Sequence, residues 1–283
     1  MKRLYVSGIL MLCTCLAFYF FHAGRNIETI IFFPIDKKAV FERAETRLSP
    51  RRSGNIYKLI WEATSLTDTP HYLRQDVSLL FRNGRLSGIM KNWKEDTQSL
   101  QQAETIKVNQ SSLLQAVTFH YGEIHRGEII TSVQQMSSGA VYLILSRLTG
   151  PDYFGSPITA VQQEWKQALD SKARAVQESS WNRAMGRLFI NPVKYRKLPL
   201  TELPIGRAGF FAGIPPSIQE KIIGRLWEGI YKNYALGIKK QDGSITEPLG
   251  STVPLLLLNT GMRELLFITE TADGEPVLLK QQY

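Results

Sequence analysis

Residues 77–93 read VSLLFRNGRLSGIMKNW. Two apolar, partly β-branched runs, 77–81 and 86–93, flank Arg82-Asn83-Gly84-Arg85. Asn-Gly supplies both positive-φ positions of a type I′ turn, whose twist matches that of the strands it joins. The stretch predicts a β-hairpin, and with it an antiparallel sheet. Further strands are expected at 56–63, 116–121, 128–135 and 140–146, where β-branched, aromatic and alternating residues recur. Turns at 122–127 and at Ser137-Ser138-Gly139 would make these a meander. Beyond residue 250 the pattern returns to strands at 253–258, 264–269 and 276–280, the last two joined by Asp273-Gly274.

Two long helices separate these groups of strands. Residues 156–185 carry Ile158, Val161, Trp165, Ala168, Leu169 and Val176 at helical spacing, with Ser156 as cap and Pro157 at the first helical position. The second helix opens at Pro215-Pro216 with Ser217-Ile218-Gln219-Glu220, a capping-box pattern. Ile222, Ile223, Leu226, Ile230, Tyr231 and Tyr234 share one face, and Gly237 ends it. Antiparallel strands, helices, then strands define an α+β class.

The chain has 283 residues, 43% hydrophobic and 21% charged. This excludes wholesale disorder and a polytopic membrane protein. At the N-terminus, Lys2 and Arg3 precede residues 4–21, which carry no charge. A helix there would be about 27 Å long, close to the thickness of a bilayer core. Signal-peptide cleavage needs small residues at −3 and −1, and Phe21-His22-Ala23 puts a ring at −3. Leu12-Cys13-Thr14-Cys15 is a poor acylation box, because the apolar run continues past it. The expectation is an uncleaved transmembrane signal-anchor over 1–24, N-terminus in the cytoplasm. A juxtamembrane linker over 25–55 follows, with a short helix at 36–47. An extracytoplasmic domain over 56–283 comes last, as one body or as subdomains 56–150 and 151–283. Cys13 and Cys15 lie in the apolar run and the rest of the chain is cysteine-free. A domain outside the cell without disulfides points to a bacterial envelope.

Motif chemistry is sparse. The chain has no Gly-Lys pair for a phosphate loop, no Gly-x-Ser-x-Gly and no Ser-x-x-Lys. His120, Glu123 and His125 cluster near a strand end, without the spacing of a helix-borne zinc site; surface or structural roles are the expectation. No cofactor and no metal is expected. Net charge is +9, from 34 basic and 25 acidic residues. For a domain outside the cell this suits anionic lipid headgroups, and nucleic acid is not an expected partner.

Residues 192–216 hold five prolines between the two helices, an unusually long connection. Phe210, Phe211 and Arg207 within it are candidate contacts for a partner protein or the membrane. The competing reading is that both rings plug the core. The expected function is a membrane-anchored envelope protein acting through protein–protein interaction. A tethered hydrolase of envelope material and a small-ligand sensor are the alternatives.

Overall fold

The structure, a computed structural model, describes residues 33–54, 56–148, 150–240 and 243–283, with 72–75 described by backbone alone. The Asn-Gly hairpin forms as the sequence predicts. Strands β1 (Phe41–Ser53), β2 (Ile56–Arg82) and β3 (Arg85–Val108) open the fold, and Asn83 (φ 48°) and Gly84 (φ 84°) link the last two. Gly84 is required twice over. A Cβ there would also lie 2.9 Å from the Ala173 carbonyl oxygen.

β2 and β3 are 27 and 24 residues long, against about 5–6 for an ordinary strand. Such length is accommodated by a bend. Trp61 Nε1 donates to Ser78 Oγ at 3.1 Å, although 17 residues separate them on one strand. An extended run of that length would span roughly 56 Å. β2 therefore folds back on itself, and its pairing with β3 shifts register between Leu66 and His71. The first half of β2 pairs with β1; the second half pairs with β4 (Ser112–Arg126). β5 (Ile129–Ser146) and β6 (Gly150–Phe154) continue the second layer.

Between the layers lie Tyr57, Leu59, Trp61, Leu80, Leu114, Val141 and Leu143. Gly88 makes room for the Trp61 ring, whose Cζ3 lies 2.9 Å from where a Cβ would stand. At Gly139 the same test gives 3.0 Å to the Thr46 carbonyl oxygen, so β1 crosses close over β5.

Several local expectations are corrected. Residues 41–53, read as part of a helix and a linker, form β1, because pairing with β2 outweighs a weak helical pattern. Ser137-Ser138-Gly139 lies inside β5, and the turn read at 122–127 is confined to Gly127 and Glu128.

The second half holds helices α1 (Ala160–Arg187), α2 (Leu203–Phe210) and α3 (Pro216–Ala235). A four-stranded sheet of order β12-β11-β10-β7 joins β7 (Arg196–Pro199), β10 (Leu255–Asn259), β11 (Glu264–Glu270) and β12 (Pro276–Gln282). The short strands β8 (Ile238–Lys239) and β9 (Ile245–Thr246) pair with each other. The α1 cap is Thr159, whose side chain accepts from Gln162 N, rather than Ser156. α3 starts on Pro215 and Pro216 without a side-chain cap, so the Ser217–Glu220 box does not form. Gly237, at φ 97°, ends it as expected.

The halves are joined at the hairpin. Val253 N donates to the Gly84 carbonyl at 2.9 Å, and Leu86 N to the Ser251 carbonyl at 2.8 Å. Trp227 of α3 stacks on Phe119 of β4 at 4.8 Å, with 7° between the planes. Among the described residues the architecture is an antiparallel, sheet-rich α+β domain with three α-helices. The apolar run 4–21 lies outside the described residues. Within them no helix is long and apolar enough to cross a membrane.

Candidate functional site

Strands β4 and β5 turn alternate side chains to opposite faces. The outer face presents Leu113 and Gln115 from β4, and Ser138, Ala140 and Tyr142 from β5. α1 lies along it because Leu169 and Ala173 pack onto Leu113, Tyr142, Ile144 and Phe154. Helical spacing then places Lys166, Asp170, Arg174 and Gln177 along the same side. The opposite wall is the 3-10 turn Leu200–Glu202 with the start of α2.

Two cavities meet in this groove. One, of about 280 Å³, is polar: Gln115, Tyr142, Lys166, Asp170, Arg174, Gln177, Thr201 and Glu202 line it. The other, of about 430 Å³, is lined by Gln115, Ser138, Gly139, Ala140, Thr201, Glu202, Ile205 and Gly206. Gln115, Thr201 and Glu202 are shared, so the cavities adjoin.

The electrostatics divide the polar arm. Tyr142 Oη donates to Asp170 Oδ1 at 2.7 Å, and Lys166 Nζ to Asp170 Oδ2 at 2.5 Å. Burial, reinforced by that hydrogen bond to Asp170, pushes the Tyr142 phenol up to about 12. The bond to Asp170 likewise raises Lys166. Asp170 is thus committed to its neighbours. Arg174, Glu202, Gln115, Gln177 and Thr201 have no ion pair or side-chain hydrogen bond among the described residues. Thr201 and Gln177 are only 7% and 8% exposed. Neither is among the buried side-chain atoms that lack a partner, so their polar atoms stay open to water through the cavity.

The inner face holds a cluster that resembles hydrolytic machinery. His120 Nε2 is 2.7 Å from Ser137 Oγ, and Nδ1 is 2.7 Å from Ser65 Oγ. Ser65 donates to Asp76 Oδ2 at 2.5 Å, and His120 Nδ1 lies 3.7 Å from that oxygen. Serine, histidine and aspartate are the types of a nucleophile triad. The surroundings are those of a structural network. Asp76 and His120 are fully buried, and the path to the carboxylate passes through Ser65. Ser137 is tied to Thr46 at 2.6 Å, and the chain runs on through Thr118 and Ser78 to Trp61. Neither groove cavity is lined by any of these residues.

His120 and His125 project to opposite faces, as their odd spacing requires; His125 Nε2 pairs with Glu123 Oε2 at 3.2 Å. Burial raises the Glu123 carboxyl, and the His125 hydrogen bond partly offsets this. Among the described residues no three His, Cys, Asp or Glu side chains gather as a metal set.

Phe210 and Phe211 lie inside the domain, 5% and 0% exposed, with their rings edge to face at 5.0 Å. They are not at the surface of the folded domain; burying two phenyl rings braces α2 from within. Arg207 is half-buried on the same helix. The connection 192–216 does face the candidate site, through Thr201, Glu202, Ile205 and Gly206. Arg174, Gln177 and Gln115 were missed because each reads alone as a solvated polar residue. No family model, curated protein or solved structure matches the chain.

Proposed function

We propose that the chain is a membrane-anchored extracytoplasmic protein of the bacterial envelope, held by an uncleaved transmembrane helix over residues 4–21. Its folded domain binds another envelope protein through the groove between α1, α2 and the β4–β5 face. The observation that supports binding over catalysis is the contrast in satisfaction. The groove holds unpaired polar groups beside the exposed apolar Ile205, whereas the half-buried Ser137 and the fully buried His120 and Asp76 are tied up in hydrogen bonds to one another and their neighbours. Such surfaces gain most from a partner that completes their hydrogen bonds. A net charge of +9 agrees with work beside anionic headgroups. A second reading, a small-ligand sensor, has support from the cavity volumes, which approach those of small-molecule sites.

Crosslinking of the full-length protein in membranes, followed by capture, tests the reading. The expected result is one envelope protein captured by wild type, and lost with Arg174→Gln and Ile205→Asp. Capture that is indifferent to both substitutions would remove the groove from the function. Mass spectrometry of the extracted protein tests the anchor. A mature N-terminus near residue 24, or a lipid on Cys15, would overturn it.

A further inference from the structure

We propose that the loop closing α1, residues 188–194, is a membrane-contact loop that places Phe189 and Val193 among the headgroups of an anionic bilayer. The proposal does not involve the groove and shares with the proposed function only its membrane setting.

The end of α1 accepts strain to expose a ring. Ile190 N donates to the Met185 carbonyl at 2.9 Å and Phe189 N to the Gly186 carbonyl at 3.3 Å. These are the two bonds of a helix stop whose left-handed position ordinarily holds glycine. Phe189 holds that position here, at φ 53°, where a Cβ is disfavoured. Its ring is 96% exposed, so no packing within the domain offsets the strain. The next turn is equally fixed: Asn191 Oδ1 accepts from Val193 N at 3.1 Å, and Val193 is 89% exposed. A strained position that gains nothing inside the domain points to a contact outside it.

Charge complementarity chooses the occupant. Between Glu178 and Glu202 the chain has Arg183, Arg187, Lys194, Arg196 and Lys197 and no acidic residue. Arg183 pairs with Glu270 at 2.7 Å; the other four have no carboxylate partner among the described residues. The loop's neighbours do not balance them. Arg187 donates to the Gly274 carbonyl and Tyr195 to Glu264. The carboxylates there are engaged elsewhere, Glu264 by Lys280 at 2.7 Å, and Asp273 and Glu275 by Lys240. An exposed ring and aliphatic chain flanked by arginine and lysine match the composition of segments that lie in an anionic membrane interface. A protein partner would need about 800 Å² of matched surface on each side, whereas two protruding side chains enter a fluid interface without it. Ile158 is the counter-case: it is 88% exposed, but residues 148–165 hold Asp152 and Glu164 and no basic residue.

The test uses the full-length chain, with Cys13→Ser and Cys15→Ser, in vesicles of phosphatidylcholine alone or with a third of phosphatidylglycerol. A bimane fluorophore is attached through Val193→Cys or, as control, through Ile158→Cys, and spin-labelled lipid is the quencher. Quenching at 193 should exceed that at 158 several-fold in the anionic vesicles, and should fall when phosphatidylglycerol is left out. Arg187→Gln with Lys194→Gln should remove the dependence on phosphatidylglycerol; both side chains are exposed, so this variant should melt with wild type. Phe189→Gly should bring quenching at 193 down to the level at 158. The same substitution should raise the melting temperature by about 2–4 °C, because glycine relieves the left-handed strain and no packing is lost. Equal quenching at the two sites, equal quenching in the two lipids, or a lower melting temperature for Phe189→Gly would each overturn the proposal. So would loss of a captured envelope protein in Phe189→Gly without lipid quenching in wild type, which would assign the loop to a protein. An alkaline carbonate wash separates this contact from the anchor. Protein that stays on the vesicles with 193 unquenched would keep the anchor and overturn the loop contact; protein that washes off after quenching at 193 would keep the contact and remove the anchor.

Discussion

The two faces of the β4–β5 sheet are built from the same strands and use their polar residues in opposite ways. Facing inward, Thr118, His120 and Ser137 belong to a chain of side-chain hydrogen bonds that runs from Asp76 to Trp61. Facing outward three residues before Thr118, Gln115 lines a cavity with its side chain unpaired among the described residues. Residue types alone would have favoured the inner face, which has the serine, histidine and aspartate. Satisfaction favours the outer one. A polar cluster that completes itself in the folded state contributes to stability and specificity, whereas one left incomplete is open to a ligand.

The largest effect that separates the faces is expected inside. Trp61 is fully buried, fills the space over Gly88 and donates to Ser78. Trp61→Ala should cost about 3–5 kcal/mol in urea denaturation. Asp76→Ala should cost about 2–3 kcal/mol, because Ser65 Oγ and the Tyr121 amide lose their acceptor in a dry interior. Asp76→Asn, which keeps an acceptor oxygen, should cost less. An Asp76→Ala protein as stable as wild type would break the comparison. So would covalent labelling of Ser137 by a fluorophosphonate in the folded protein.

Gly139 tests the contact of the two layers. An added methyl group would meet the Thr46 backbone oxygen at 3.0 Å and Leu48 Cγ at 3.7 Å. Backbone yields less readily than a side chain, so Gly139→Ala should cost about 1–3 kcal/mol in the same assay. A neutral result would mean that β1 rides more loosely over β5 than the hydrogen bond between Thr46 and Ser137 implies.

The parts of the fold legible in the sequence were those with local chemistry. Asn83-Gly84, Asp273-Gly274 and Gly237 are turns and stops that glycine geometry dictates, and the helical stripe of α3 is plain. The long strands were not legible, since Ser65, Asp76 and Ser78 sit where alternation calls for apolar residues. Those positions face the inner hydrogen-bond chain, which exists only once β2 bends. β1 was misread because its register with β2 is a tertiary fact. The groove draws on β4, β5, α1 and the turn Leu200–Glu202, segments separated by tens of residues, and no spacing rule connects them. Only the length of the connection 192–216 drew attention to this region, and the sequence reading there singled out its rings, which are buried, rather than Thr201 and Ile205, which line the groove.

Within the groove, Tyr142 supplies a pH-dependent test of modest size. Its phenol is pushed up to about 12, first by burial and then by the hydrogen bond to Asp170. The unfolded chain would ionise it near about 10. A tyrosine raised in the folded state gives stability that is complete below about 10 and is lost as pH rises towards 12. Tyr142→Phe lacks the bond but also the titration. Wild type should therefore be the more stable at pH 8, and the difference in urea midpoints should shrink as pH rises from about 10 to 12. A difference that stays constant over that range would show that Tyr142 ionises alike in both states.

The smallest expected effect is the most discriminating. Arg174 is exposed and Glu202 is exposed, and neither has an ion pair or hydrogen-bonded side-chain partner among the described residues. If the outer face is open for a ligand, its unpaired charges contribute almost nothing to the free domain. Arg174→Gln and Glu202→Gln should each shift the stability of the unliganded protein by no more than about 0.5 kcal/mol. If Arg174→Gln instead destabilised the free protein by several kcal/mol, Arg174 would be part of the scaffold. The two faces of the sheet would then not differ in the way proposed.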